Sequence, residues 1–412
     1  MDWANTMAHD RLRAHLAGSA RALTHRNFRL FFLGQAVSLI GSWTQMVAQG
    51  WLVYHLTGQG SWLGLVGFAQ QAPIFVLGLV SGTLIDRVDK HRLVFINQCG
   101  LMACAVVLAV LTLSNWVQPE YILVLALVIG TINAFDIPGR QSWMIDLVGR
   151  EDLPNAIALN STTFNLARMV GPALAGALLS LVGPGWCFAL NALTFVAVLA
   201  SLAAMDRPPR QPPRPRASPL ADMRRGFGFI MGEPTVRQTL ALLGLAAITV
   251  MPAPVLMPMF AEAIHRAGPV GLGMLMSCLG AGALLGALRM VVLPSPPERL
   301  RRIPAEAAAV LGVSIMLFAA VPQFWLAAVL LVPAGFAMVT TGASANTLVQ
   351  SLVPDELRGR VMAVYASIFV GLTPFGAALG GWLSDRFGAP ATVITAGAIC
   401  AIYALWRRIR SR

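Results

Sequence analysis

Charge is the scarcest commodity in this sequence. Asp, Glu, Lys and Arg make up 12% of its 412 residues, where a soluble domain carries about 25%. That shortage excludes a string of soluble domains, which length alone would suggest. Lysine is nearly missing: Lys90 stands alone beside the arginines in a total of 30 basic residues. Cys99, Cys104, Cys187, Cys278 and Cys400 lie in or beside apolar stretches with neither metal spacing nor a disulfide pattern, and read as buried thiols. The histidines (His9, His15, His25, His55, His91, His265) sit in loops or at span ends without ligand spacing, so no metal site is expected. No G-x-x-x-x-G-K-[ST] run occurs, which argues against ATP as energy source, and no cofactor is expected. An intramembrane enzyme would need a histidine or aspartate pair within an apolar stretch, and none is present. A cleavable signal is not expected either, because the first 27 residues are polar and the next apolar stretch is too long for a signal core.

What fills the sequence is apolar: 57% hydrophobic residues and a mean hydropathy of +0.69. About 20 apolar residues cross ~30 Å of hydrocarbon. By that ruler there are twelve spans: 28–54, 62–85, 93–114, 121–145, 156–181, 187–205, 236–262, 271–293, 304–321, 325–350, 360–384 and 391–406. Their length indicates helices rather than barrel strands. The net charge of +12 lies in short loops, not on a patch for nucleic acid. Arginines collect in alternate connections and at both termini, leaving only Arg266 and Arg386 in the others, which predicts both termini in the cytoplasm of a cell's inner membrane. The polar break R-P-P-R-Q-P-P-R-P-R lies in 206–235, where tandem prolines predict an extended linker. The organisation expected is an all-α membrane protein: a segment 1–27, a six-helix bundle 28–205, the linker 206–235, a second bundle 236–406 and a tail 407–412. A monomer in the bilayer is expected. The halves echo each other, with D-L-V-G-R-E-D-L-P at 146–154 and S-L-V-P-D-E-L-R-G at 351–359, each followed by a helix with a proline among glycines, Pro172 or Pro374. A duplicated six-helix unit with substrate at the interface is a transporter plan.

Several motifs sharpen this. Between spans two and three stands G-T-L-I-D-R-V-D-K-H-R, with Gly82, Asp86, Arg87, Lys90 and Arg92; a plain positive loop is the bland alternative. G-W-L-S-D-R-F-G (381–388) is a degenerate copy, but the topology puts it on the opposite side, so it is not read as a repeat. Span five carries R-M-V-G-P-A-L-A-G, where Gly171 and Gly176 expose backbone for packing and Pro172 frees a carbonyl. The loop at 82–92 resembles the signature loop of the major facilitator superfamily, and the glycine-proline run resembles that of its proton-coupled exporters. With R-N-F-R-L-F-F-L-G-Q (26–35), G-S-W-T-Q (41–45), W-L-V-Y-H-L-T-G (51–58), F-D-I-P-G-R-Q (135–141) and the run from Arg150 to Arg168, the first half is similar to the branch that includes the enterobactin exporter and macrolide efflux proteins. The resemblance implies twelve helices, alternating access and outward transport of a small molecule. Protons are the expected partner, and the loop cluster, through charge-assisted contacts to neighbouring helix ends, is expected to gate together with Gly171 and Pro172.

The residues themselves suggest where cargo and proton go. Gln35, Ser38, Ser42, Gln45 and Gln49 recur at intervals of three and four, so one face of span one is polar. That face is expected toward a water-filled path, with helix–helix hydrogen bonding as the alternative. Asn160, Thr163, Asn165, Thr341 and Asn346 are further cavity candidates. Span seven, V-M-P-A-P-V-L-M-P-M-F (250–260), is greasy and predicted to be broken by its prolines. A cavity polar on one wall and apolar on the other suits an amphipathic or aromatic cargo; divalent metal export, lipid transport and a non-transporting receptor are the alternatives. Asp136 lies about nine residues into span four, roughly 13 Å, and Arg168 about twelve into span five, roughly 18 Å. With Arg140 one turn away, a three-residue network is expected, in which Asp136 carries the coupling proton: burial favours its neutral form, the arginines its charged form. A static Asp136–Arg140 pair near the headgroups is the alternative.

Overall fold

In the computed structural model, residues 21–85, 87–206, 227–292 and 296–410 are described, and among them there is helix and connecting turn but no strand. The first half consists of α1 (Arg26–Thr57), α2 (Gly60–Ile85), α3 (Lys90–Leu113), the continuous run Pro119–Leu181 and α6 (Pro184–Ala203). That run is two helices, α4 (119–148) and α5 (150–181), meeting at Gly149 with φ 73° and ψ 178°. Only glycine adopts this backbone readily, which is why a single residue suffices as the corner. The second half holds α7 (Pro234–Thr249, with an irregular continuation), α8 (Gly268–Val292), α9 (Ile303–Ala320), α10 (Phe324–Leu352), α11 (Asp355–Phe387, interrupted at Leu372) and α12 (Ala389–Arg410). The described residues thus supply twelve helices long and apolar enough to span a membrane, counting α4 and α5 separately.

Helix starts follow ordinary rules. Asp89 accepts from the backbone N–H of Arg92 to begin α3, and Glu233 does the same for Thr235 at α7. Beyond Val250 the prolines of span seven remove donors, and the chain passes through a 3₁₀ turn (Ala253–Leu256) into a π turn (Phe260–Ile264).

The halves meet along two pairs of helices, α2 with α11 and α5 with α8. At the end away from the arginine-rich loops, here the far end, one apolar core draws on both halves, from Trp51, Leu52 and Ala175 to Leu242, Met257 and Leu275. At the basic end there are two cores. Phe28, Phe31, Trp143 and Phe195 form one within the first half; Leu240, Val349, Val361 and Tyr365 form another within the second. The ion pairs given there, such as Arg26–Asp206, Lys90–Asp146 and Arg408–Glu306, each join groups of one half. Among the described residues the halves share a core at the far end and keep separate cores at the basic end.

Three expectations change. Residues 227–232 are helical, and Ile230 is buried against the second half, so the extended linker does not reach 235; an apolar F-G-F-I-M run offsets the charge that marked the break. Residues 207–226 lie outside the described part, as do 1–20. The tail expected from 407 continues α12 to Arg410, with Arg407 buried and donating to Thr239 at 2.8 Å. The loop expected between spans four and five is a corner of one residue.

Candidate functional site

At mid-depth in the first half, α4 carries Asp136 with no exposed side-chain surface. Its Oδ2 lies 2.7 Å from Arg140 Nε one turn along, close enough for an ion pair although the N–H is not aligned on it. Its Oδ1 accepts a 3.1 Å hydrogen bond from Gln98 Nε2 on α3, and Arg140 Nη1 donates to Gln35 Oε1 on α1 at 2.7 Å. Side chains of three helices therefore meet around one buried carboxylate, with Gln35 reaching it through Arg140. Gln98 was not foreseen, though the polar I-N-Q-C at 96–99 within an apolar stretch was a signal for it. Nearby Asn97 Nδ2 and Gln98 Oε1 are buried without a partner, so the cluster has hydrogen-bonding capacity in reserve.

Arg168 does not join this network. Asp136 lies thirteen residues from Gly149 and Arg168 nineteen, a difference in depth of roughly 9 Å at ~1.5 Å per residue. The expected loop had hidden this offset. The guanidinium instead lies over the Trp43 ring, 5.7 Å from its centroid, with Nη2 3.5 Å from Met338 Sδ on α10 of the other half. Phe164, exposed one turn away, packs its edge on Trp43.

The polar face of α1 mostly serves the bundle. Gln35 bonds Arg140, and Gln45 Oε1 accepts from Asn191 Nδ2 on α6 at 2.8 Å. Ser38 and Gln49 are buried, both polar atoms of Gln49 lacking a partner, while Ser42 is half-buried. The alternative of helix–helix hydrogen bonding thus describes Gln35 and Gln45; periodicity reveals a polar face but not whether water or a neighbour lies against it. Thr163 and Asn165 bond backbone carbonyls of their own helix, Thr341 does likewise on α10, and Asn346 accepts from Gln350. Asn160 is half-buried.

The gating candidates divide by end. Asp86 lies outside the described residues. Lys90 pairs with Asp146 at 2.7 Å and donates to the Ser142 carbonyl, while Arg87 and Arg92 are exposed. Among the described residues nothing lies within 4 Å of the place a Cβ at Gly82 would take, nor of that of Gly78 one turn earlier. On the same face of α2, Gly64 meets α11 closely: its Cβ would stand 2.4 Å from the Ala377 carbonyl. One glycine face is thus docked at the far end and bare at the basic end.

Gly171 and Pro172 sit where α5 touches two helices. Thr44 Oγ1 donates to the Gly171 carbonyl at 3.2 Å, and Ser277 on α8 donates to the Met169 carbonyl at 2.8 Å. The Arg168 carbonyl, which Pro172 cannot bond, faces Gly280 of the other half. A Cβ at Gly171 would lie 2.4 Å from Trp43 Cβ. Gly171→Ala is therefore expected to cost about 1–3 kcal/mol by overpacking, the reverse of the usual gain for such a change in a helix. An unchanged or raised melting temperature of the purified variant would remove the close contact from the account.

Sequence reading missed the far-end contact. Asp385, inside G-W-L-S-D-R-F-G, accepts from the backbone N–H of Gly60 at 2.6 Å and of Ser61 at 2.9 Å, so α11 of one half caps α2 of the other. The motif copy was the signal. It was set aside because it lies opposite the loop it copies.

Among the described residues no group of three or more His, Cys, Asp or Glu side chains is placed to hold a metal ion. Residues 17–410 match the family described as "Transmembrane secretion effector". The multidrug efflux pump Tap of Mycolicibacterium fortuitum is 29% identical over 86% of this chain and 88% of its own length. The enterobactin exporter EntS of an Escherichia coli O1:K1 strain is 28% identical over 91% and 89%. Among solved structures, a bacterial homologue of the human lysosomal transporter Spinster, inward-facing and unoccupied, aligns with a TM-score of 0.74 at 15% identity, over 94% of this chain and 97% of that one. A POT family transporter aligns with a TM-score of 0.72 at 12% identity, over 94% and 96%.

Proposed function

From the premise that the chain belongs to the transmembrane secretion effector family of the major facilitator superfamily, and is a multi-pass membrane transporter, we propose that it exports a small amphipathic molecule in exchange for protons. Its basic end faces the cytoplasm of the inner membrane, as arginine placement indicates. The observation that carries this reading is the contrast between one core shared by both halves at the far end and two separate cores at the basic end. That is one of the two states alternating access requires, and the bare face at Gly78 and Gly82 is a seat for the other. Cargo enters between the halves from the basic end, and closure there with opening at the far end releases it. Asp136 is the proton carrier. Gln98, Gln35 and Arg140 hold its charged form, and a shift of α4 against α1 and α3 that weakens those contacts favours proton uptake.

Everted membrane vesicles test it. With an imposed proton gradient they are expected to accumulate members of a panel of amphipathic dyes and acids in proportion to the amount of protein. A correctly inserted protein that gives no uptake above empty vesicles overturns the exporter reading.

A further inference from the structure

Arg168 is the deepest cation at the junction of the two halves, and its surroundings do not account for it. Among the described residues Arg168 forms no ion pair. Its contacts are a thioether at 3.5 Å, a weak acceptor, and the Trp43 ring face at 5.7 Å. A guanidinium presents five N–H donors in a planar fork. Sulfur and ring occupy a small part of that capacity, so the half-buried guanidinium keeps most of its donors free at the junction, with no carboxylate among the described residues to offset its charge. Asp136, the buried carboxylate of this half, lies at a different depth and is already held by Arg140 and Gln98.

Position adds a second observation. The backbone of Arg168 marks the deepest point of the cleft, because from here toward the far end α5 lies directly on α8: Gly280 packs against the Arg168 carbonyl, Gly273 against Pro172 and Gly176. Toward the basic end Phe164 on α5 is exposed, and the two halves pack into separate cores instead of a shared one. The cation thus stands at the floor, with an aromatic pair, Trp43 and Phe164, on the wall of the first half and Met338 on that of the second. A fork beside a ring face and a soft thioether is complementary to a planar aromatic body that carries a carboxylate or another delocalised anion.

We propose that Arg168 is the anion-recognition residue of the cargo site and that the favoured cargo is an aromatic anion, its charged group on the guanidinium and its ring against Trp43. This deepens the exporter reading and rests on it for the word cargo, but the binding site stands or falls separately. An anion there meets side chains of both halves at once, and it neutralises a charge that otherwise opposes sealing the cleft from water.

The test uses the full-length protein in lipid nanodiscs with 2-naphthoate and its neutral isostere 2-naphthamide, followed by calorimetry. The expected result is binding of naphthoate at least tenfold tighter than of naphthamide, from charge-assisted hydrogen bonds. Arg168→Gln should erase the difference, and Arg168→Lys should keep part of it. Unliganded Arg168→Met is expected to melt no lower than the parent, since it removes an uncompensated charge. Equal affinity for the two probes, no binding of either, or discrimination that survives Arg168→Gln overturns the assignment. So does a clear loss of stability in Arg168→Met together with unchanged naphthoate binding by Arg168→Lys and Arg168→Gln, which makes the arginine structural. If vesicles accumulate cationic or neutral dyes while naphthoate does not bind, the exporter reading stands and the anion site falls. If naphthoate binds as described and no uptake of any probe occurs, the reverse holds.

Discussion

Asp136→Asn is expected to abolish gradient-driven accumulation in everted vesicles, by at least tenfold, while downhill exchange of cargo persists. The amide keeps the size of the side chain and can still accept from Gln98, which now holds Oδ1 at 3.1 Å. What it cannot do is take up and release the proton that the proposed coupling assigns to the carboxylate beside Arg140. Loss of the carboxylate also leaves Arg140 without its counter-charge, and breaking a buried pair from one side costs about 3–5 kcal/mol. Stability and coupling therefore fall together in the single variant. The double variant Asp136→Asn with Arg140→Gln separates them: it should regain most of the lost melting temperature and none of the gradient dependence. If the double variant accumulates cargo against a gradient as the parent does, the proton travels by another route.

The second large effect is expected at the far end. Asp385→Ala removes both hydrogen bonds that join α11 to the first turn of α2, to the N–H groups of Gly60 and Ser61. It also removes a negative charge from the positive end of a helix. Hydrogen bonds to a charged group contribute about 1.5–3 kcal/mol each, and about 1.4 kcal/mol is a tenfold change in an equilibrium. Since the contact exists only while the far end is sealed, its loss should raise the population open at that end by roughly a hundredfold or more. A cysteine at Ala377, in a background without the five native thiols, would report it through faster labelling by an impermeant maleimide from the far side. Labelling at the parent rate would show that the apolar core alone keeps this end shut. Asp385→Asn, which retains an acceptor but not the charge, should fall between the two.

Legibility in the sequence followed the physics that sets each feature. Twelve helices could be read because a bilayer demands a long apolar run for each, whatever the run packs against. The break in span seven could be read from its prolines, whose effect is local. Junctions were harder: nothing in D-L-V-G-R-E-D says that Gly149 turns the chain by itself, and the polar look of the segment suggested a loop. The resulting error in depth placed Arg168 beside Asp136, which the structure keeps apart. The Asp136–Arg140 contact was legible because four residues of helix fix it; Gln98 and Gln35 come from other helices and were not. The same limit applies to the glutamines of α1, where sequence gives the face but not its neighbour, and to Asp385, whose partners lie more than 300 residues away.

The corner at Gly149 has a consequence for how the two charged positions relate. Among the described residues beyond its own chain neighbours, no heavy atom lies within 4 Å of where its side chain would begin, so what the position supplies is torsion and not contact. A connection of several residues would act as slack, letting α4 and α5 move independently. A one-residue joint transmits torque. A roll of α4 that carries Asp136 away from Gln98 and Gln35 would reach α5, and with it Arg168 and Gly171, through this single residue. Protonation on one arm and the grip on cargo on the other would then be a single mechanical event, with Gly149 as its fulcrum.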